Sequence, residues 1–238
     1  MKILKLPAAE RGVFKNSDFQ GFTLFNLGER GTKRPDNFGP LYVFNDDILF
    51  KGSFLGMHPH SNVEIVTIML EGEESHQDTL GIHEKYHSGD VQLISAGRGI
   101  RHSGGNTSST IDARHLQIWI QPSELNTEPK VSVLKSYDEP PLSGIMKLLV
   151  SPDGELESLK INQQIWIYLI TMKAKTAHEL ISHKMETGVM IYIIDGGGAK
   201  VVEENLNAGD TLFLTGWDKI DVISKGTSVS ILVIETVV

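Results

Sequence analysis

Apolar positions along the chain come in short runs rather than at helical spacing. "NVEIVTIMLEG", "GDVQLISAG", "HLQIWIQP", "MKLLV", "QIWIYLITM", "GVMIYIIDGGG", "GDTLFLTG" and "SVSILVIETVV" are rich in Val, Ile, Leu, Trp and Tyr and are bounded by Gly, Pro, Asn or Asp. β-branched and aromatic runs closed by turn formers predict strands. Few windows hold a 3.6-residue apolar period for twelve residues, so helices are expected to be minor. Many short strands at regular spacing predict an all-β sandwich or barrel.

A weak internal repeat divides the chain. Residues 68–97 and 192–216 each run from an apolar strand through an acidic-Gly turn and a polar hairpin into Gly-Asp and another apolar strand. Gly89-Asp90 thus corresponds to Gly209-Asp210. Duplicated β units predict two related barrels packed together. The expected boundaries are a first barrel over 1–122, a Pro-, Ser- and charge-rich crossing segment over 123–144, and a second barrel over 145–238. Gly196–Gly198 lies between strands with no Lys-Ser/Thr and helix behind it, which predicts a hairpin turn rather than a phosphate loop.

Composition narrows the partners. The net charge of −8 disfavours the phosphate backbone of a nucleic acid as the main ligand. Zero cysteines exclude disulfides, thiolate metal sites and a cysteine nucleophile. "MKILKLPAAERGVF" has only a broken apolar run, and no stretch approaches the ~18 consecutive apolar residues of a membrane span. The expectation is a soluble cytoplasmic protein. No G-x-S-x-G elbow or HExxH occurs, which leaves hydrolase and zincin chemistry unsupported.

The histidines carry the candidate chemistry. In "MHPHSNVE", His58 and His60 share a strand face, where two neutral imidazoles can reach one divalent ion. Glu64 has the same parity, yet a straight strand carries it ~13 Å beyond His60 at ~3.3 Å per residue. It joins them only if Ser61-Asn62 turns the chain back, and both are good turn residues. The alternative is a pair of surface or hydrogen-bonded histidines. His102 closes "GDVQLISAGRGIRHSGGN" after a strand and a glycine-rich turn, and adds a third imidazole. His76, His83 and His87 fall in the polar hairpin after Gly72, where solvation is expected, with His76 able to reach the barrel mouth. His115 is expected as a satisfied buried or rim residue. His178 and His183 are expected at turns or in solvent, and Arg98 and Arg101 as solvated turn residues.

Gly52-x5-His58-x-His60-x3-Glu64 closing on Gly72 resembles the first cupin motif. Gly89 through His102-x3-Asn106 resembles the second, with Ser95 in place of its usual proline. "HPH", "LEGEESHQDTLG", "GDVQLISAGRGIRHS" and "LQIWI" resemble the pirin family, and "QIWIQPSE" and "LLVSPDGELESLKINQQ" its bacterial quercetinase-like branch. The similarity runs from about Phe14 to about Gln164, is strong over 56–103, and is weaker but collinear beyond. It implies two tandem cupin barrels (double-stranded β-helices) packed face to face, the first holding one non-haem metal ion, usually iron, through three histidines and a glutamate.

The histidines carry over onto His58, His60 and His102. The glutamate does not, because "HSG" stands where the family commonly has "HSE", leaving Gly104 without a ligand atom. Three readings follow: Glu64 or water takes the fourth place, metal binds weakly without catalysis, or the pocket is empty. The first is preferred because all three imidazoles are present, with Glu64 otherwise orienting a ligating imidazole from behind. An N/O donor set suits iron, zinc, nickel, manganese or copper. Counting back from Gly196 as the pair counts back from Gly72 gives Ser182 and Lys184, so one site is expected, in the first barrel.

The resemblance implies oxygen-dependent ring cleavage of a flavonol such as quercetin, with a small aromatic substrate and O2 as partners. Losing the family's proton acceptor at 104 bears on general base catalysis, worth roughly 10²–10⁴-fold, and Glu64 is the candidate substitute. The rival class is a non-enzymatic metal-binding or regulatory protein with a protein partner.

Overall fold

The apolar runs fold as strands, and their alternation decides which side chains meet. The computed structural model describes residues 1–29, 32–135, 146–183 and 186–238. Among these, the helical elements are two short 3-10 turns, Ala8–Glu10 and Glu155–Glu157. The first half forms a seven-stranded sheet in the order Lys130–Leu134, Val91–Ser95, Glu64–Glu71, Ala113–Ile120, Leu41–Leu49, Phe19–Thr23 and Gly12–Lys15. A four-stranded sheet, Leu55–His60, Ile100–Gly105, Glu73–Asp78 and His83–His87, closes it into a barrel. The second half repeats the plan, with a seven-stranded sheet centred on Thr187–Gly196 and Val229–Val237 and a four-stranded one containing Ala177–Ile181 and Lys219–Ser224. This is the all-β, two-barrel architecture that the repeat predicts. Gly196 and Gly198 take φ of 94° and 78° in the turn between Thr187–Gly196 and Ala199–Val201, a conformation that favours glycine.

The two large sheets pack face to face. Phe44, Val66, Leu93, Leu116 and Ile118 of the first meet Ile167, Met190, Tyr192, Leu232 and Ile234 of the second in one buried apolar cluster. A polar staple crosses this seam. Arg114 donates to both oxygens of Asp46, at 2.8 and 2.7 Å, and the Tyr192 hydroxyl of the other barrel donates to Asp46 at 2.6 Å. Arg11 donates to the Tyr192 oxygen at 3.0 Å. A bidentate Arg–carboxylate pair that also accepts a hydroxyl satisfies a charge that burial would otherwise penalise.

Two expected boundaries shift. Lys2–Leu6 pairs with Thr211–Thr215 and so belongs to the second barrel's sheet. Lys130–Leu134 pairs with Val91–Ser95 of the first barrel, so the expected crossing segment includes a strand of that barrel, and its residues 136–144 lie outside the described residues. In both places a strand covers a sheet edge whose N–H and C=O groups would stand unpaired.

The barrels differ inside. The second is filled by side chains such as Ile170, Val189, Ile191, Leu212, Val222 and Val233. In the first, the inward positions of the large sheet include Asn45, Asp47, Thr67, Gln92, His115 and Gln117, which line a cavity.

Glu64 does not point into that cavity. Its neighbours Ile65 and Thr67 line the cavity, while Glu64 and Val66 face the other way, towards the second barrel. The carboxylate is buried, accepts from Ser95 Oγ at 2.6 Å and is hydrogen-bonded by the Asn162 backbone. Burial raises it from the ordinary 4.5 to about 7, against the lowering effect of those hydrogen bonds. The folded state therefore binds this proton more tightly than the unfolded chain does. The stabilisation is fully present below pH about 4.5 and is lost as pH rises through about 7, amounting to about 3 kcal/mol at most. We expect Glu64→Gln to remove this slope: urea unfolding at pH 8 should find the variant more stable than the parent by about 1–3 kcal/mol, and at pH 4.5 about equal.

Candidate metal centre

Antiparallel pairing brings the three histidines together. His58 and His60 lie on Leu55–His60, two residues apart and on one face. In Ile100–Gly105, His102 stands directly across from His58, and Ile100 across from His60. Cross-strand neighbours on one face touch, and the three rings sit with centroids 4.3, 4.9 and 5.0 Å apart. One ring nitrogen from each lies within 4.8 Å of the others, close enough to converge on a single ion. His58 Nδ1 lies 2.9 Å from the Gly56 carbonyl, and donation to that oxygen assigns the tautomer that leaves Nε2 as the lone pair. His102 Nε2 is buried and has no hydrogen-bond partner among the described residues.

The electrostatics favour a cation at this point. Burial, and then the charge of His58, lower His60 to about 4. Burial, followed by His58, His60 and His76, lowers His102 to about 3. Both imidazoles are thus neutral near pH 7 and present lone pairs, the form that binds a metal. A buried ring nitrogen with no partner costs free energy, and in the tautomer that leaves it a lone pair a bound cation removes that cost. The residues fit a divalent ion.

Glu64 is not part of this group. Ser61-Asn62 does turn the chain, with Asn62 at φ 52° and its N–H donating to the Gly97 carbonyl. The turn, however, leads out of the four-stranded sheet into the seven-stranded one, where Glu64 faces the seam between the barrels. The expectation of Glu64 as fourth ligand or base is corrected accordingly.

Another carboxylate reaches the cavity. Glu74, on Glu73–Asp78, lines it, and Glu74 Oε2 lies 2.8 Å from His115 Nδ1. His115 Nε2 lies 3.5 Å from Asp47 Oδ2, so the imidazole is held between two carboxylates. Burial opposes charge on His115, but Glu74 and Asp47 outweigh it and raise its pKa. A Cβ built on Gly104 would fall 2.2 Å from the Ser75 carbonyl oxygen and 3.7 Å from Glu74 Oε1. The space at 104 is thus closed by the neighbouring strand, and Glu74 supplies a carboxylate beside it. The hint in the sequence was alternation in "EGEESHQD", which puts Glu74 and His76 on one face.

The cavity measures about 380 Å³ and carries apolar walls from Phe14, Phe19, Phe54, Leu55, Ile65 and Trp119. His76 is buried rather than solvated, bonded through Nε2 to Asp78 Oδ2 at 2.8 Å, with its ring 5.4 Å from His102. His83 and His87 are exposed. His115 is buried and bonded, as a satisfied imidazole. In the second barrel His183 is not a free turn residue: it stacks on Trp166 at 4.4 Å and bonds Glu235 and Tyr168. Ser182 also bonds Glu235, and Lys184 lies outside the described residues. Arg98 is exposed and pairs with Glu128, while the exposed Arg101 donates to the Met57 carbonyl.

Known proteins share this organisation. Residues 10–120 match the pirin family, and residues 148–236 match the quercetinase C-terminal cupin domain. A quercetin 2,3-dioxygenase of Escherichia coli strain K12 is 32% identical over 216 residues, 89% of this chain and 88% of that protein. A pirin-like protein of Caulobacter vibrioides is 34% identical over 178 residues, 73% of this chain and 74% of its own length. The crystal structure of the bacterial pirin YhhW from Escherichia coli in complex with nickel(II) superposes with a TM-score of 0.90 at 28% identity, covering 99% of both chains. The chain belongs to the pirin family.

Proposed function

We propose that this protein is a metal-dependent dioxygenase of the quercetin 2,3-dioxygenase type, with one divalent ion held by His58, His60 and His102 and a flavonol-like substrate in the first barrel. The observation that carries it is the convergence of three imidazole nitrogens within 4.8 Å on the wall of an aromatic-lined cavity, with His102 Nε2 buried and unpartnered. The 32% identity to a quercetin 2,3-dioxygenase and the nickel(II) complex of a 28% identical pirin support both the chemistry and a divalent ion. Iron is the ion the family resemblance implies, and three neutral imidazoles also suit nickel, copper, zinc and manganese.

When bound, the ion supplies a Lewis-acid site for a substrate hydroxyl. The remaining work falls to this chain's own residues. Phe54, Leu55 and Trp119 bury a flat ring system and exclude water from it. Gly56 fixes the ring orientation of His58 through its carbonyl. Glu74, on the cavity wall and held by His115, accepts the proton of the substrate hydroxyl, the task that Gly104 has no side chain to perform.

Protein loaded with iron, nickel or manganese in turn should bleach the long-wavelength band of a flavonol in air. If every loaded form leaves a panel of flavonols unchanged, the dioxygenase reading is wrong. His58→Ala and His102→Ala should each lower metal content, read by elemental analysis after dialysis, by roughly tenfold or more. Glu74→Gln should retain the metal yet lower turnover by roughly 10²–10⁴-fold. Gly104→Ala should lower unfolding stability by about 1–3 kcal/mol, because its Cβ meets a backbone carbonyl.

A further inference from the structure

One register row crosses the inward face of the first barrel's large sheet. Asn45 stands opposite Gln117, Gln117 opposite Thr67, and Thr67 opposite Gln92, and all four line the cavity. Side chains in such a row point the same way, so four adjacent strands present amides and a hydroxyl to whatever fills the barrel. The histidine cluster uses none of them. Gln92 is already committed, since its amide donates to the Tyr86 hydroxyl at 2.6 Å.

Gln117 is committed at one end only, and its partner decides which end. Trp119 Nε1–H donates to Gln117 Oε1 at 3.1 Å. An indole N–H can only donate, so it must meet the amide oxygen, and the NH2 group is left at the other end. Among the described residues that NH2 group has no acceptor. It is also not one of the partnerless nitrogen and oxygen atoms sealed from solvent, so it opens onto the cavity that Gln117 lines. Trp119 fixes a second relation. Its ring meets the His60 ring at 5.0 Å and 85°, so one indole touches both Gln117 and the histidine cluster. A flat ligand lying along that indole spans the two.

We propose that Gln117 is a specificity-determining residue whose amide N–H donates to a carbonyl oxygen of a flat aromatic ligand, with Trp119 holding the amide in the donating orientation. An amide N–H cannot accept, so the group selects an acceptor on the ligand. A ligand that fills the barrel shuts solvent off from this N–H, and only one that carries an acceptor there leaves it paired. A methylene in the same place leaves it unpaired, and a site built to hydrogen-bond a polar group rejects the analogue that lacks it. The walls from Phe14, Phe19 and Ile65 cannot make that choice, because they meet both ligands alike. The assignment rests on the cavity being the substrate pocket, and it adds to that reading the ligand group that is recognised away from the ion.

The test uses metal-free full-length protein and two probes of one skeleton, flavone and 2-phenyl-4H-chromene, which carry a carbonyl or a methylene at the same ring position. Calorimetric titration should find flavone bound roughly tenfold or more tightly. Gln117→Met, of similar length, should cut that preference to about threefold or less, with folding checked by thermal melts. Gln117→Glu at pH 8 keeps an acceptor for Trp119 but has no N–H, and serves if the first variant does not fold. Infrared difference spectra of flavone isotope-labelled at the carbonyl give a readout that a merely structural role does not move. The bound carbonyl stretch should lie below its position in cyclohexane for the parent, and return towards it in the Gln117 variant. Equal binding of the two probes, no binding of flavone, an unshifted carbonyl band in the parent, or a preference that survives loss of the amide overturns the assignment. With no metal present and no hydroxyl on either probe, neither is turned over, so a failure of flavonol oxidation in air leaves this result standing.

Discussion

The two-residue period of the first barrel's large sheet governs both its assembly and its chemistry. Each strand shared by the seam and the cavity sends alternate side chains in opposite directions. Phe44, Val66, Leu116 and Ile118 go outward into the apolar contact with the second barrel, and Asn45, Thr67, His115 and Gln117 go inward to the cavity. A one-residue slip in any of these strands would place polar groups in the seam and apolar ones in the pocket. The Asp46 staple pins the register at the point where it matters. Asp46 points outward to Arg114 and Tyr192, and its neighbour Asp47 points inward to His115. Two adjacent aspartates thus serve two different environments because of strand geometry alone.

Much of this was legible in the sequence. Short β-branched runs between turn residues identified the strands, and the repeat identified two barrels, because both signals are local. His58 and His60 could be assigned to one face for the same reason. Glu64 shows where local reasoning fails. Its parity matches the histidines and the chain does turn at Asn62, yet the turn passes from one sheet to another and parity counting does not survive that passage. Ser95, which stands where the resembled motif usually has proline, donates to Glu64 in the seam together with the Asn162 backbone.

The polar wall was hidden for a different reason. In "FNDDILF" nothing distinguishes Asn45 and Asp47 from ordinary solvent-facing positions of a one-sided sheet. Only the closure of the barrel turns that face inward. His115 was correctly expected to be satisfied, but its partners, Glu74 and Asp47, come from strands 41 and 68 residues away, a distance that no window along the chain reaches. His183 belongs to the same category, since its stacking on Trp166 and its bonds to Glu235 and Tyr168 depend on the second barrel's closure.

The strand Lys2–Leu6 has a consequence for how the molecule is made. It pairs with Thr211–Thr215, roughly two hundred positions later in the chain. During synthesis these five residues emerge before any part of the sheet that receives them. Their place is completed only after both halves have been translated, so the second sheet cannot close as each half appears. Pairing of such long sequence separation folds slowly and leaves an edge open in the meantime. It also makes the two barrels one cooperative unit: a cut between the halves would separate the second sheet from one of its own strands.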